Sequence, residues 1–452
     1  MLIGIKNITR FHNFLRRNLK KIFKISFIKD FLSYGFIGIL GKAINVFAIP
    51  FYASVLNVED FGLLDLFSSS LMILSLVATF QLETSFIRFY SELKNEQEIK
   101  QYFSSGLNII LLLSIPFCLI SYFALYYFYK EVDYKLLLGT IISIPITSIF
   151  AYITCIYRVT FKRQTFVKIN LINILGIPIF SILAVYLGYG VLGIIAVTII
   201  INSISLLIVI LNTKEYYIKG IDKNITYKMF SYSIPLIPSS FSIILQQNLT
   251  NFVISGFLGL TILGYYAFAL KIFIPITLVF QSLKMAWYPR AFQLYDKDKN
   301  FDQKFKRVEK YYFTLIFFSY LILLYFSSTI INYIGGNKMK YSIELVGLIG
   351  LIILTRAASY FYIVVQNIIK NTKSILISNF VSLIFLIISL LILKSFNQLN
   401  IKLIIISEVV CEIIKLILII YSSKKSSFNH FNYYLPLSII LIISSISIYL
   451  YI

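Results

Sequence analysis

Inside the long apolar runs of this chain stands a basic set, Lys42, Arg88, Lys271, Lys284, Arg356 and Lys415, and an acidic set, Glu83, Glu344, Glu408 and Glu412. Charges are costly in such surroundings and normally face a cavity or a partner. Glu408, Glu412 and Lys415 are spaced four and three apart, so they share one helix face and can neutralise one another. That spacing fits either an internal salt bridge or proton-carrying carboxylates, and Glu83 is open to the same two readings, with Arg88 as a loose partner. Lys42, Lys271 and Arg356 have no acidic residue within one helical turn. Arginine and lysine recognise phosphate and acidic sugars through charge-assisted hydrogen bonds, Arg as a fork and Lys as a point charge. The amides Gln246, Gln247, Asn248 and Asn251 crowd one further run, and together these groups predict a polar, cation-lined cavity suited to an anionic or sugar-rich substrate.

No enzyme chemistry accompanies them. The two histidines, His12 and His430, lie outside the apolar runs, and the sequence has no Walker loop or nucleophile elbow. Cys118, Cys155 and Cys411 all fall within apolar runs without paired or metal-ligand spacing. The reading is of no catalytic residue, no metal and no cofactor.

The elements that must carry these charges are membrane spans. Of 452 residues, 59% are hydrophobic and 13% charged, and the mean hydropathy is +0.85. Apolar runs of about 20 residues, the length that crosses ~30 Å of hydrocarbon, recur along the whole chain. They predict spans near 34–56, 63–89, 104–128, 136–157, 169–187 and 190–212, then 230–258, 263–289, 311–334, 342–368, 375–394 and 401–421, with a thirteenth at 433–452. Arg356 falls about fourteen residues into its span, roughly 21 Å deep at ~1.5 Å per residue. Pro275, four residues after Lys271, predicts a kink.

Basic residues set the orientation, because Lys and Arg near span ends are retained on the cytoplasmic side. The N-terminal segment and alternate loops, including 158–168 and 290–310, hold 29 of them, and the opposite loops hold six. The net charge of +22 is therefore a topology signal and an attraction to anionic headgroups, and it gives no ground for a nucleic-acid partner. Residues 1–29 place Phe11, Phe14, Leu15, Leu19, Ile22 and Phe23 at helical spacing against Arg16, Arg17, Lys20, Lys21 and Lys24. An amphipathic helix on the inner leaflet is expected there.

The two halves repeat. Phe31 to Tyr34 precedes the first span much as Phe230 to Tyr232 precedes the seventh, and the turn glycines Gly62 and Gly264 occupy matching places. Twenty-six residues beyond each glycine comes an arginine, Arg88 in one half and Arg290 in the other. A plainer account has glycine turning the chain and arginine anchoring a helix at the headgroups. The shared spacing favours six spans plus six: a segment 1–29, a first lobe 30–215, a second lobe 216–421, and a loop with a further span at 422–452.

The stretches Gly41 to Pro50, Val58 to Leu66 and Leu82 to Tyr90, with Tyr232 to Pro238, Leu263 to Tyr266 and Trp287 to Pro289, resemble the polysaccharide-exporter branch of the multidrug/oligosaccharidyl-lipid/polysaccharide (MOP) flippase superfamily. These are the Wzx-like O-antigen and capsule repeat-unit flippases. The resemblance implies an all-α polytopic fold of two six-helix lobes in a MATE-like V. It also implies alternating access that moves an undecaprenyl-diphosphate-linked oligosaccharide to the outer leaflet of the bacterial cytoplasmic membrane. Membrane lipids, a glycan polymerase and glycosyltransferases are the implied partners. The substrate-binding role of that family's cavity cations carries over to Lys42, Arg88, Lys271, Lys284, Arg290 and Arg356. A drug or organic-cation antiporter of the same superfamily would need unpaired acids instead. A polymerase or ligase of surface-glycan assembly would need a large outer loop, and every outer connection here is short.

Overall fold

The computed structural model describes residues 26–425 apart from 91, 94, 130–131, 298–300 and 370, and among the described residues there is helix and turn but no strand. The first half runs α1 Ser26–Val55, α2 Val58–Ala78, α3 Leu82–Tyr90, α4 Glu96–Phe128, α5 Tyr134–Val159, α6 Arg163–Tyr186 and α7 Gly190–Thr213. A 3-10 turn and the short α8, Lys223–Ser233, lead into the second half. That half runs α9 Leu236–Phe257, α10 Leu260–Ile272, α11 Ile274–Lys297, α12 Phe301–Gly335, α13 Ser342–Ile368, α14 Thr372–Ser395 and α15 Ile401–Lys425. Most of the expected amphipathic segment and all of the expected span at 433–452 lie outside the described residues.

Helix fills all twelve expected span positions. Among the described residues eight helices are long and apolar enough to cross a membrane by themselves, and α10 with α11, bent by 46°, make a ninth if the pair is counted as one broken span. Two of the others fall short for reasons of composition: helix α9 carries four amide side chains, and α15 carries Glu408, Glu412 and Lys415 in mid-helix. The bend between α10 and α11 falls at Phe273, next to Pro275, whose missing N–H cannot continue the helical ladder.

Two spans expected to be continuous are interrupted. Span 63–89 breaks between α2 and α3, where Phe80 and Gln81 take left-handed backbone angles, φ 49° and 55°. Bulky residues seldom adopt that region. The burial that follows offsets the strain: Leu82 and Phe86 have no solvent exposure, and the Phe86 ring lies 5.7 Å from Phe103 and 6.2 Å from Tyr152. Span 230–258 breaks between α8 and α9 at Ile234 and Pro235. Helix α8 packs against α3 and α4, and the Ser85 hydroxyl donates to the Met229 carbonyl at 3.1 Å.

The halves repeat in packing as well as in order. In the first, α1 packs on α6, α2 on α5 and α5 on α7; in the second, α9 packs on α14, α10 on α13 and α13 on α15. The equivalent helices α5 and α13 are the most buried spans of their halves, over 50% and 78% of their apolar windows. Each is the centre of its lobe.

The lobes meet at the end opposite the basic loops, where α2 crosses α10. A Cβ on Gly62 would run into the Leu260 carbonyl oxygen, and one on Gly264 into the Val58 carbonyl oxygen. The two glycines of the repeat therefore touch across the lobes, backbone to backbone, and the Phe61 and Phe268 rings meet edge-on beside them at 5.4 Å. At the same end the Lys338 ammonium donates to the Leu56 carbonyl at 2.7 Å, satisfying a free carbonyl at the end of α1, and the Ser255 and Tyr129 hydroxyls lie 3.3 Å apart.

The flanks of this crossing differ. On one, α1 packs against α11 and α12; on the other, α9 packs against α2. There a cavity of 540 Å³ opens between α2, α4 and α9, lined by Ile73, Leu74, Leu125, Leu245, Phe252 and Val253 with Ser70 and Ser121 among them.

Candidate functional site

Apart from Glu344, which faces Lys402 at 3.8 Å, the charges of the apolar runs fall into four places. The deepest lies within the second lobe, where α13 and α15 pack along each other. The Arg356 guanidinium donates to Glu412 at 2.8 Å and to Glu408 at 2.6 Å, and Lys415 stands 3.7 Å from the second oxygen of Glu412. Both carboxylates are 1% exposed. Glu408 also accepts from the Thr250 hydroxyl at 2.7 Å and the Tyr266 hydroxyl at 3.1 Å, which ties α9 and α10 to the cluster. Two cations and two carboxylates cancel there. Arg356, expected to present unpaired charge, is therefore neutralised by partners more than fifty positions away in sequence, because helix packing brings α15 onto its face. Gln246 extends the polar layer toward the Cys411 sulfur at 3.3 Å.

A second group sits between the lobes just inside the glycine crossing. Asp65 on α2 accepts from Asn251 on α9 at 2.7 Å, and its other oxygen faces Lys271 on α10 at 3.9 Å. Asn251 also donates to Ser69 at 2.8 Å, and the Lys271 ammonium lies 5.6 Å from the Phe61 ring centroid. Lys271, also expected to be unpaired, is held by an acid from the other lobe.

Lys42 stands alone on α1. It is half-buried, and among the described residues it has no ion pair or hydrogen bond. About thirteen residues separate it from the end of α1 at Val55, roughly 20 Å of helix.

The fourth group lies toward the basic loops. Arg88 is half-exposed and bonds Glu92 one turn on at 2.6 Å. Among the described residues one Glu83 oxygen is buried without a hydrogen-bond partner, and Arg158 on α5 acts on that carboxylate electrostatically. Helix α11 carries Lys284 and Arg290; their side chains lie outside the described residues.

Two functional groups escaped the sequence reading. Asp65 belongs to the stretch Val58 to Leu66 and was legible only as part of a turn motif, although an acid two turns into an apolar helix is the same signal that marked Glu408. Glu309, 1% exposed, accepts from the Tyr362 hydroxyl inside the second lobe; it sits in a basic stretch that reads as loop. Among the described residues no group of acids, histidines and cysteines is placed to hold a metal ion.

Residues 52–344 match the family described as polysaccharide biosynthesis protein. No curated protein sequence matches the chain. Among solved structures it resembles the lipid II flippase MurJ in an inward closed conformation, at 16% identity and TM-score 0.63, covering 91% of this chain and 97% of that one. An inward-facing multidrug resistance MATE family transporter of the MOP superfamily aligns at 13% identity and TM-score 0.61, over 86% and 96% of the two chains. An outward-facing MATE transporter aligns over 88% and 95% at 16% identity and TM-score 0.51.

Proposed function

This chain belongs to the polysaccharide biosynthesis protein family, and on that footing we propose that it is a flippase for an undecaprenyl-diphosphate-linked oligosaccharide, carried between leaflets by alternating access. Its fold is that of the MOP superfamily transporters, and family and fold are those of transporters rather than enzymes. The observation that carries the reading is the α2–α10 crossing, where repeat-related glycines bring the two lobes together at the end opposite the basic loops. Rocking the lobes about such a contact opens one end as the other closes. The better alignment with inward-facing than with outward-facing relatives supports the state in which the crossing end is shut.

In this reading the membrane is the bacterial cytoplasmic membrane, with the basic loops and the N-terminus in the cytoplasm. Arg88, Lys284 and Arg290 draw the diphosphate toward the lobes from the inner leaflet, and Lys42 receives it between them. Arg356 shapes the interior of the second lobe and Lys271 the junction between the lobes, neither adding net charge. Glycosyltransferases build the substrate and a polymerase consumes it, as for O-antigen or capsule units. An organic-cation substrate is disfavoured, because the mid-span acids Asp65, Glu408 and Glu412 are each matched by a cation.

Deleting the gene should leave lipid-linked repeat units on the cytoplasmic face and strip the surface of their polymer. Normal surface glycan in the deletion strain would sink the proposal.

A further inference from the structure

Each polar contact of Asp65 joins one lobe to the other. Asp65 and Ser69 belong to α2; Asn251 and Lys271 belong to α9 and α10. The group lies one to two helical turns inward from the Gly62 and Gly264 crossing, so separating the helices there would uncover it. The Asp65 and Lys271 side chains are 20% and 23% exposed. Neither has much water to fall back on.

Opening this end moves α2 away from α9 and α10, and Asp65 loses its amide donor and its ammonium together. Lys271 loses the ring of Phe61 in the same motion, because Phe61 travels with α2. A contact made in one state and absent from the other shifts the balance between them by its whole free energy. For a substrate anion to use Lys271, it would first have to displace a carboxylate already in place.

We propose that Asp65 and Lys271 form an ionic latch between the lobes, made when the end opposite the basic loops is closed and broken each time it opens. Asn251 is its second arm, holding the carboxylate in line with Ser69. Lys271 then sets the conformational equilibrium and does not hold substrate. The inference rests on the alternating-access reading for the motion it governs, and its test needs no substrate.

The test uses the full chain with Cys118, Cys155 and Cys411 replaced by alanine and a reporter, Leu66→Cys, beside the latch, where Leu66 is 5% exposed. Intact cells lacking the glycan pathway are treated with a membrane-impermeant thiol reagent. The parent should label slowly, and Asp65→Asn and Lys271→Met should label about tenfold faster, a latch contribution of about 1.4 kcal/mol. Lys271→Arg, which keeps the ion pair, should label slowly again, as should the exchange Asp65→Lys with Lys271→Asp. Only variants eluting as a single species from size-exclusion chromatography are scored. Equal labelling of Lys271→Arg and Lys271→Met overturns the latch, as does a parent rate in the single charge-removing variants. Glycan export plays no part in the readout, so a failure of the flippase proposal leaves these results standing.

Discussion

At Arg356 the guanidinium faces two carboxylates in a nearly dry helix junction, and Lys415 completes the neutral set. Removing one member of a buried ion cluster leaves an uncompensated charge, a loss of about 3–5 kcal/mol. Arg356→Ala should therefore lower the melting temperature in detergent sharply and reduce the folded yield. Arg356→Met combined with Glu408→Gln, which restores neutrality, should recover most of it; thermal unfolding followed by size-exclusion chromatography reads both. Lys42 predicts the opposite pattern. Lys42→Ala should fold and melt like the parent while export falls about tenfold, since a charge-assisted hydrogen bond contributes about 1.5–3 kcal/mol; unchanged export would remove Lys42 from the binding site. The sequence reveals that these residues are charged and deep, because an apolar run around an ion is visible in one dimension. It does not reveal that Glu408 and Glu412 lie against Arg356, because their separation is fixed by which helices pack, and helical spacing describes one helix at a time.

Among the elements, the twelve span positions were legible because a crossing needs its own apolar length, and the bend near Pro275 was legible because proline removes a specific hydrogen bond. The break before α3 was not. Phe80 and Gln81 carry no glycine or proline signal, and their left-handed backbone is held by the burial of Leu82 and Phe86 against helices elsewhere in the chain. Gly62 and Gly264 were visible as a repeated pair, but their role as the contact surface between α2 and α10 required the fold. Gly62→Ala or Gly264→Ala must push a methyl group into a backbone carbonyl, and the helices have to separate to admit it. Each substitution should cost about 1–3 kcal/mol, in the range of overpacked cores, and should speed labelling of Leu66→Cys from the outside. A labelling rate equal to the parent's would show that the crossing has slack.

For the whole molecule, the two flanks of the crossing are unequal: α1 fills one side with α11 and α12, and a 540 Å³ apolar cavity remains beside α9 on the other. Gly256 lines that cavity, and a Cβ placed there would meet no heavy atom within 4 Å. Gly256→Trp should thus leave thermal stability within about 1 kcal/mol of the parent while slowing export, if lobe motion uses that space; normal export would show that the cavity is idle. The glycine crossing has a different kind of consequence. Position 58 meets 264 and position 62 meets 260, so one contact is made twice about a pseudo-two-fold axis, in the manner of an isologous homodimer interface. Either methyl group forces the same separation of the same two helices. The second should then enter almost without further loss, and the double variant Gly62→Ala/Gly264→Ala should be destabilised by clearly less than the sum of its parts.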